Sequence, residues 1–470
     1  MIRFLEISNH TLFWYYLASN FAYLVMLLIA LKTSAAHQHK LESYRLKWIG
    51  ETPLAPPITL IAPAHNEEGS IRVAVRNLLE LDYPELEVIV VNDGSADRTL
   101  EEMREEFRLR PVRAVYVAEV KSAPVRGLYR SGVDSRLLVV DKEPGGSKAD
   151  AVNAALNSAT SPYVCIVDAD SVLERDALLR IMVPILADPK RVVAVGGIIR
   201  VLNGSEIAKG NLRRVRLPRK SIEVIQVIEY LRAFLIGREA WAQGNMLMVI
   251  SGAFGLFRTD LVRAVGGYRA NSIGEDFDLV ARLHRYLREK KADYQIQFVP
   301  DPMCWTEVPS DLKSLGRQRA RWQKGLLDVL WTTRTMLFRP RYGRIGFFAL
   351  PYLWVFEFAA PAIEILGIAT IVVAALLGAL SRAFFLQFLL FGYAFATVIS
   401  IGSVLQEEIT YKRYNNWQDV ARLVTYCFLE HFPYRQMHMF WRLKGIWQYL
   451  RGDTTWGPLK RKGLQSASVP

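Results

Sequence analysis

Cysteine is scarce in this chain, with three in 470 residues: Cys165, Cys304 and Cys427. They lie far apart and without metal-ligand spacing, which excludes a disulfide framework and a zinc cluster and leaves them as small buried hydrophobes. Histidine is sparse too, and His65, His284 and His431 stand isolated enough to read as structural. The chain has no internal repeat and no long low-complexity tract. Acidic residues are in deficit, with 46 Asp and Glu against 59 Lys and Arg, for a formal net charge of +13. What is plentiful is apolar: 51% of residues are hydrophobic and mean hydropathy is +0.12. Apolar excess combined with cationic excess points to a protein sitting in and on an anionic leaflet. Nucleic acid would want its basic residues gathered on a soluble stretch, whereas here many flank apolar segments. Membrane lipids, not nucleic acid, are therefore the expected partner.

Residues 11–31 form an uncharged apolar run, long enough to cross a bilayer at roughly 20 residues and too long for a signal-peptide core. Lys32, Lys40, Arg45 and Lys47 follow it and only Arg3 precedes it, so the N-terminus is expected outside and the next segment in the cytoplasm. A Pro-rich linker at 53–57 leads to apolar strands at 58–62, 86–91 and 163–167, alternating with helices at 70–81 and 148–158. This alternation predicts a parallel sheet with right-handed crossovers. Ligands of such sheets bind outside the carboxyl ends of the strands, where the polar clusters Pro63 to Glu68, Asn92 to Ser95 and Asp168 to Asp170 fall. Residues 211–241 run from basic to amphipathic and read as a helix on the membrane surface, or as an ordinary domain helix. A glycine-punctuated stretch, 251–257, suits close approach of backbone to ligand. A helix is expected at 277–287 and another at 314–336.

Apolar character returns at 347–380, where Pro351 and Pro361 suggest an interfacial helix followed by a span. Glu357 and Glu364 lie inside it and imply a lined path or a helix contact, because ionisable groups at that depth are costly. A further span is expected at 383–405, and an interfacial or re-entrant segment at 423–441. The expected organisation is an anchor (1–50), a cytoplasmic catalytic domain with interfacial helices (51–338), and C-terminal membrane and interfacial helices with a tail (339–470).

Four clusters carry chemistry. Asp168-Ala169-Asp170 ends a strand, and a hard divalent cation takes one or two such carboxylates plus substrate phosphates. Asp93 can accept from a base ring N–H, or it can simply cap the Asn92-Asp93-Gly94 turn. Lys148 follows Gly145-Gly146-Ser147 at a helix start, which suits a phosphate or ribose contact; a solvated lysine is the alternative. Glu275-Asp276 offers a general base for a hydroxyl, though either acid also suits a helix N-terminus. Gln318-Arg319-Ala320-Arg321-Trp322 sets guanidinium forks that match a diphosphate beside an indole that suits a sugar ring; alone it also reads as a solvated basic helix face.

In this order the clusters resemble the membrane-bound family 2 glycosyltransferases, with the poly-N-acetylglucosamine, hyaluronan and cellulose synthases as the similar subgroup. The resemblance implies an α/β GT-A catalytic domain, a Rossmann-like mixed sheet, plus α-helical transmembrane and interfacial helices. It implies that Asp93 reads uracil, that Asp170 binds Mg2+ or Mn2+, and that Asp276, paired with Glu275, is the base. Pro63, Ala64, Glu67, Lys148, Asp168, Gln318, Arg319 and Arg321 would complete the nucleotide-sugar site. Trp322, Trp305 and Glu307 would line the acceptor site, and Trp456 would sit in a gating loop. Gly274 stands where the cellulose type has Thr, and no second-messenger module follows the spans. The implied activity is inverting transfer from a UDP-sugar, UDP-N-acetylglucosamine or UDP-glucose, to a growing β-linked polysaccharide that is exported across the cell membrane. A glycolipid acceptor is the alternative, then a non-catalytic translocation subunit; an accessory membrane subunit is a further expected partner.

Overall fold

The computed structural model describes residues 2–44, 55–113, 116, 118–208, 211–378, 380–414 and 416–453. The start of the Pro-rich linker and the tail with Trp456 lie outside them. The chain forms two compact units, each built from separate stretches. A helical unit comprises 1–35, 219–241 and 309–459, and a sheet unit comprises 36–218, 242–308 and 460–470. The pentapeptide helix therefore clusters with the helical unit.

The strands of the sheet unit are β1 (Ile58–Ala64), β2 (Leu86–Asp93), β3 (Arg110–Pro111), β4 (Val125–Arg130), β5 (Leu137–Lys142), β6 (Tyr163–Val167), β7 (Val172–Leu173), β8 (Val192–Val201), β9 (Glu206–Ala208), β10 (Asn211–Arg214), β11 (Phe254–Arg258) and β12 (Gln295–Thr306). Ten form one sheet in the order β3-β4-β5-β2-β1-β6-β11-β8-β12-β7. Its centre, β5-β2-β1-β6, is parallel, and Val88, Ile89, Val90 and Val91 are completely buried, as expected of a strand covered on both faces. The sheet is mixed, because β11 runs antiparallel to both β6 and β8 and β4 runs antiparallel to β5. The short link between β4 and β5 allows only the antiparallel pairing. Helices Ile71–Leu79 and Lys148–Leu156 lie near their expected places.

The basic start of 211–241 is a strand, not a helix. β10 pairs with β9 in a two-stranded ribbon, leaving Arg213 and Arg214 exposed. The helix begins at Ser221, and its apolar face is covered by protein: Ile225 packs with Leu315 and Tyr434.

In the helical unit, Ile7–Ser34 and Arg382–Thr410, of 28 and 29 residues, are long and apolar enough to cross a membrane. Ile345–Phe358 and Ala360–Leu376 pass the same test together, bent by 44°. Trp14, Phe21, Leu376 and Leu386 are exposed on these helices, as lipid-facing side chains would be. The expected break in 423–441 falls at Phe432 (φ −149°, ψ 128°), beside Pro433, whose ring cannot continue a helix.

The pentapeptide helix, Leu312–Thr333, packs on Arg435–Leu450. The helices approach tightly at Gly445, where an added Cβ would lie 2.4 Å from the Ala320 carbonyl oxygen and 3.0 Å from its Cα. The obstacle is backbone and cannot step aside. Gly445→Val is expected to destabilise the purified protein by about 1–3 kcal/mol through overpacking, read as a lowered midpoint in detergent thermal unfolding; an unchanged midpoint would refute this seating of the pentapeptide helix.

Candidate active site

Three carboxylate clusters lie on different parts of the sheet unit. Asp93 ends β2; Asp168 and Asp170 sit between β6 and β7; Glu275 and Asp276 open the helix Glu275–Glu289. One helix start joins them. Ser147 caps the helix Lys148–Leu156 by accepting from the Asp150 N–H, and the next three residues each serve a different cluster. Lys148 Nζ donates to Asp168 Oδ1 and, at 2.7 Å, to the Gly252 carbonyl. The Ala149 N–H donates to Glu275 Oε2 at 3.0 Å. Asp150 Oδ2 is ion-paired at 2.7 Å with Lys142, which also donates to Asp93. Gly252 closes the circuit, its N–H donating to Asp276 Oδ2 at 2.7 Å. No side chain fits there, since a Cβ on Gly252 would lie 2.4 Å from Asp276 Oδ1. The glycine-punctuated stretch thus meets a carboxylate, and from Phe254 onward it is the strand β11.

Burial would discharge the Lys148 ammonium, but the charges of Asp168, Asp276 and Glu275 outweigh it and hold the group above the usual lysine range. Burial, and next the charge of Asp276, push the Glu275 carboxyl up to about 7 against the pull of Lys148.

Pro63 and Ala64 pair with Val91 and Asn92, and so border Asp93. His65 Nδ1 lies 2.8 Å from the Asp93 carbonyl oxygen and fixes that backbone, in keeping with a structural role. Glu67 sits in the turn before the helix Ile71–Leu79, where its N–H donates to Thr99 Oγ1 at 2.7 Å. Glu307 is half-buried just beyond β12. Among the described residues no group of three His, Cys, Asp or Glu could hold a metal ion. Asp168 and Asp170 nevertheless fit a divalent cation of the Mg2+ type, for which two hard carboxylates suffice when phosphate oxygens fill the remaining positions.

Two expected roles are corrected. Trp305 is 1% exposed. It packs with Ala74, Val172, Leu202 and Ile207, because β12 lies inside the sheet; its ring is core and has no face open to a sugar. Arg319, expected among the diphosphate cations, is buried in the helical unit and paired with Glu229, with its guanidinium 4.3 Å from the Trp322 ring centroid. It is a structural cation. Arg321 is half-buried and Gln318 similarly so, while Trp322 is 45% exposed. Sequence reasoning missed Lys142 and Asp150. Their signal was the apolar run Leu137 to Val140 ending in Asp141-Lys142, an unrecognised strand beside β2.

A mixed sheet with acidic groups gathered at one helix start suits the handling of a phosphorylated donor. Residues 56–325 match the family described as "Glycosyltransferase like family 2", and the chain belongs to that family, with the GT-A type of mixed sheet. It is similar to a poly-β-1,6-N-acetyl-D-glucosamine synthase of Staphylococcus epidermidis, 29% identical over 282 residues, 59% of this chain and 57% of the relative. A synthase of the same name from Staphylococcus aureus is 31% identical over 306 residues, 64% of this chain and 62% of the relative. The matched part thus spans less than two thirds of each relative's length. A mannosyltransferase from Pyrobaculum calidifontis, solved with GDP-Man and Mn2+, superposes with a TM-score of 0.49 and 23% identity, covering 86% of this chain and 98% of that one.

Because Glu275 takes up its proton more readily in the folded protein than in the unfolded chain, the stability this group confers is complete below its ordinary 4.5 and lost as pH rises through about 7. Glu275→Gln keeps an acceptor for the Ala149 N–H. It is expected to stabilise the protein near pH 8 by up to about 3 kcal/mol and to leave it unchanged near pH 4.5. Thermal unfolding at both pH values checks this; an equal shift at both would refute a buried charge as the cause.

Proposed function

We propose that the protein is an inverting glycosyltransferase of the cell membrane that takes a UDP-sugar in the cytoplasm, UDP-N-acetylglucosamine or UDP-glucose, and elongates and exports a β-linked polysaccharide. The observation that carries this reading is the convergence of Asp168 on Lys148, of Glu275 on the Ala149 N–H and, through Lys142, of Asp93 on Asp150, with Asp276 held by the N–H of Gly252, whose carbonyl Lys148 also meets. Asp93 binds the base, and Lys148 contacts the donor phosphates. A divalent cation held by Asp168 and Asp170 together with diphosphate oxygens would neutralise charge on the leaving group. Asp276 takes the proton of the acceptor hydroxyl as its oxygen bonds to the anomeric carbon and the bond from that carbon to the diphosphate oxygen breaks. A single base acting opposite the leaving group gives inversion. Arg321 and Trp322 supply a diphosphate cation and a stacking surface for the acceptor sugar.

Export is supported by a cavity of about 230 Å³ within the helical unit. Its lining mixes aromatic rings, among them Tyr15, Tyr23 and Phe356, with ion pairs. Arg435 pairs with Glu364 at 2.8 Å, Arg442 with Glu357 at 3.5 Å, and Arg232 with Glu430. Rings that pack on sugar C–H groups and polar groups that meet hydroxyls together suit a saccharide.

Incubating the purified protein with single UDP-sugars, sizing the product on a gel and digesting it with linkage-specific hydrolases tests the reading. A ladder of long β-linked chains is expected, and a single sugar on a lipid would replace export with head-group transfer. Asp276→Asn is expected to bind UDP-sugar normally and lose about 10²–10⁴-fold in transfer rate; normal polymer from that variant would remove Asp276 as the base. EDTA added to isolated membranes is expected to stop synthesis, and unchanged synthesis would contradict the metal role of Asp168 and Asp170.

A further inference from the structure

Lys142, at the end of β5, is completely buried. The ammonium donates to Asp93 Oδ1 and, at 2.7 Å, to the Glu143 carbonyl, and it is ion-paired with Asp150 Oδ2 at 2.7 Å. Three oxygens thus hold it in place. Lys142 stands directly across from Asp93 in the parallel register of β2 and β5. Asp150 is held in turn by the Ala123 N–H at 2.9 Å and by its place in the first turn of Lys148–Leu156. Asp93 Oδ1 also accepts the Gly145 N–H at 3.0 Å. Two donors on one oxygen fix the plane of the carboxylate. Among the described residues its other oxygen, Oδ2, takes no hydrogen bond, and Asp93 retains 8% exposure.

We propose that Lys142 is a positioning residue that aims Asp93 Oδ2 at the ring N–H of the donor nucleobase; this rests on the reading of Asp93 as the base contact. A carboxylate oxygen only accepts, so the aimed oxygen favours a base that presents a ring N–H, as uracil does, and repels one that presents a lone pair there, as cytosine does. Asp150 and the helix start set the position of Lys142. Base selection is thereby tied to the same first turn that orients Lys148 toward the metal-binding carboxylates.

The test is titration of the full-length protein in detergent with UDP, CDP and inorganic pyrophosphate, with Mn2+ present. Lys142→Met is expected to weaken UDP about 10–100-fold, the range for a lost hydrogen bond to a charged group, and to bring the UDP-to-CDP preference close to one. Pyrophosphate binding should stay within about twofold, since no phosphate contact is altered. Removing a cation from between two buried carboxylates threatens folding, so Lys142→Met is also made together with Asp150→Asn, which removes the second charge; the same loss of preference is expected. Equal weakening of all three ligands, or an undiminished preference for UDP, would overturn the proposal. Asp93→Asn separates the two levels. If it keeps the wild-type preference, the assignment of Asp93 to the base fails. If it loses the preference while both Lys142 variants keep it, the role of Lys142 alone fails.

Discussion

The bond between the Lys148 ammonium and Asp168, with its second arm on the Gly252 carbonyl, is the constraint on which the arrangement of the sheet unit's acidic groups depends. Carboxylates gathered to bind a cation repel one another and raise one another's proton affinity. Glu275 shows the effect, with the negative charge of Asp276 helping to push it up to about 7. Lys148 lowers that cost by placing a positive charge among Asp168, Asp276 and Glu275, and the start of its own helix adds a partial positive charge in the same direction. Without it that positive charge would be missing beside the buried Glu275 and the half-buried Asp168 and Asp276.

The same helix start shows how a parallel sheet delivers residues from distant parts of the chain to one place. β1, β2, β5 and β6 end on one edge, and the crossover helix after β5 begins there. Lys148, Ala149 and Asp150 face three ways because successive helical residues point about a quarter turn apart. Each can therefore hold a different strand end or helix end. The Ala149 amide needs no special side chain to hold Glu275, which is why an alanine suffices between two charged residues. Rigid placement of this kind is what an electrostatic site requires, since its donors and charges must already be aimed before the reaction.

The centre of this design was legible in the sequence, since the strands at 58–64, 86–93 and 163–167 announce themselves as apolar runs ending in acidic turns. Tertiary pairing was not legible. Nothing in Phe254 to Arg258 says that it runs antiparallel between β6 and β8, because a short buried strand has the same composition in either direction. Nothing in the sequence around Lys142 marks it as buried; its burial follows from its register with Asp93. Trp305 and Arg319 were misjudged for a common reason: residue type suggested ligand chemistry, while their burial in β12 and against Glu229 depends on partners far away in the chain. The basic stretch at 211–214 carries the charge of a membrane-surface helix, yet its pairing with Glu206–Ala208 makes it a ribbon.

The helical unit obeys a second electrostatic rule. A charged side chain among apolar helices is costly unless paired or wetted. Each of the three arginines lining the cavity, Arg232, Arg435 and Arg442, has a glutamate partner on another helical segment. Ser400 also donates to Glu430 at 2.7 Å and Arg435 to the Gly392 carbonyl at 2.6 Å. Paired in this way, the charges give the cavity a polar lining without leaving any of these three arginines as a fixed trap for anions. An unpaired arginine there would hold an anionic group, and an unpaired glutamate would hold a cationic one. Glu357 and Glu364, which looked out of place in an apolar run, are therefore accounted for as the partners that balance Arg442 and Arg435 in the wall of this cavity.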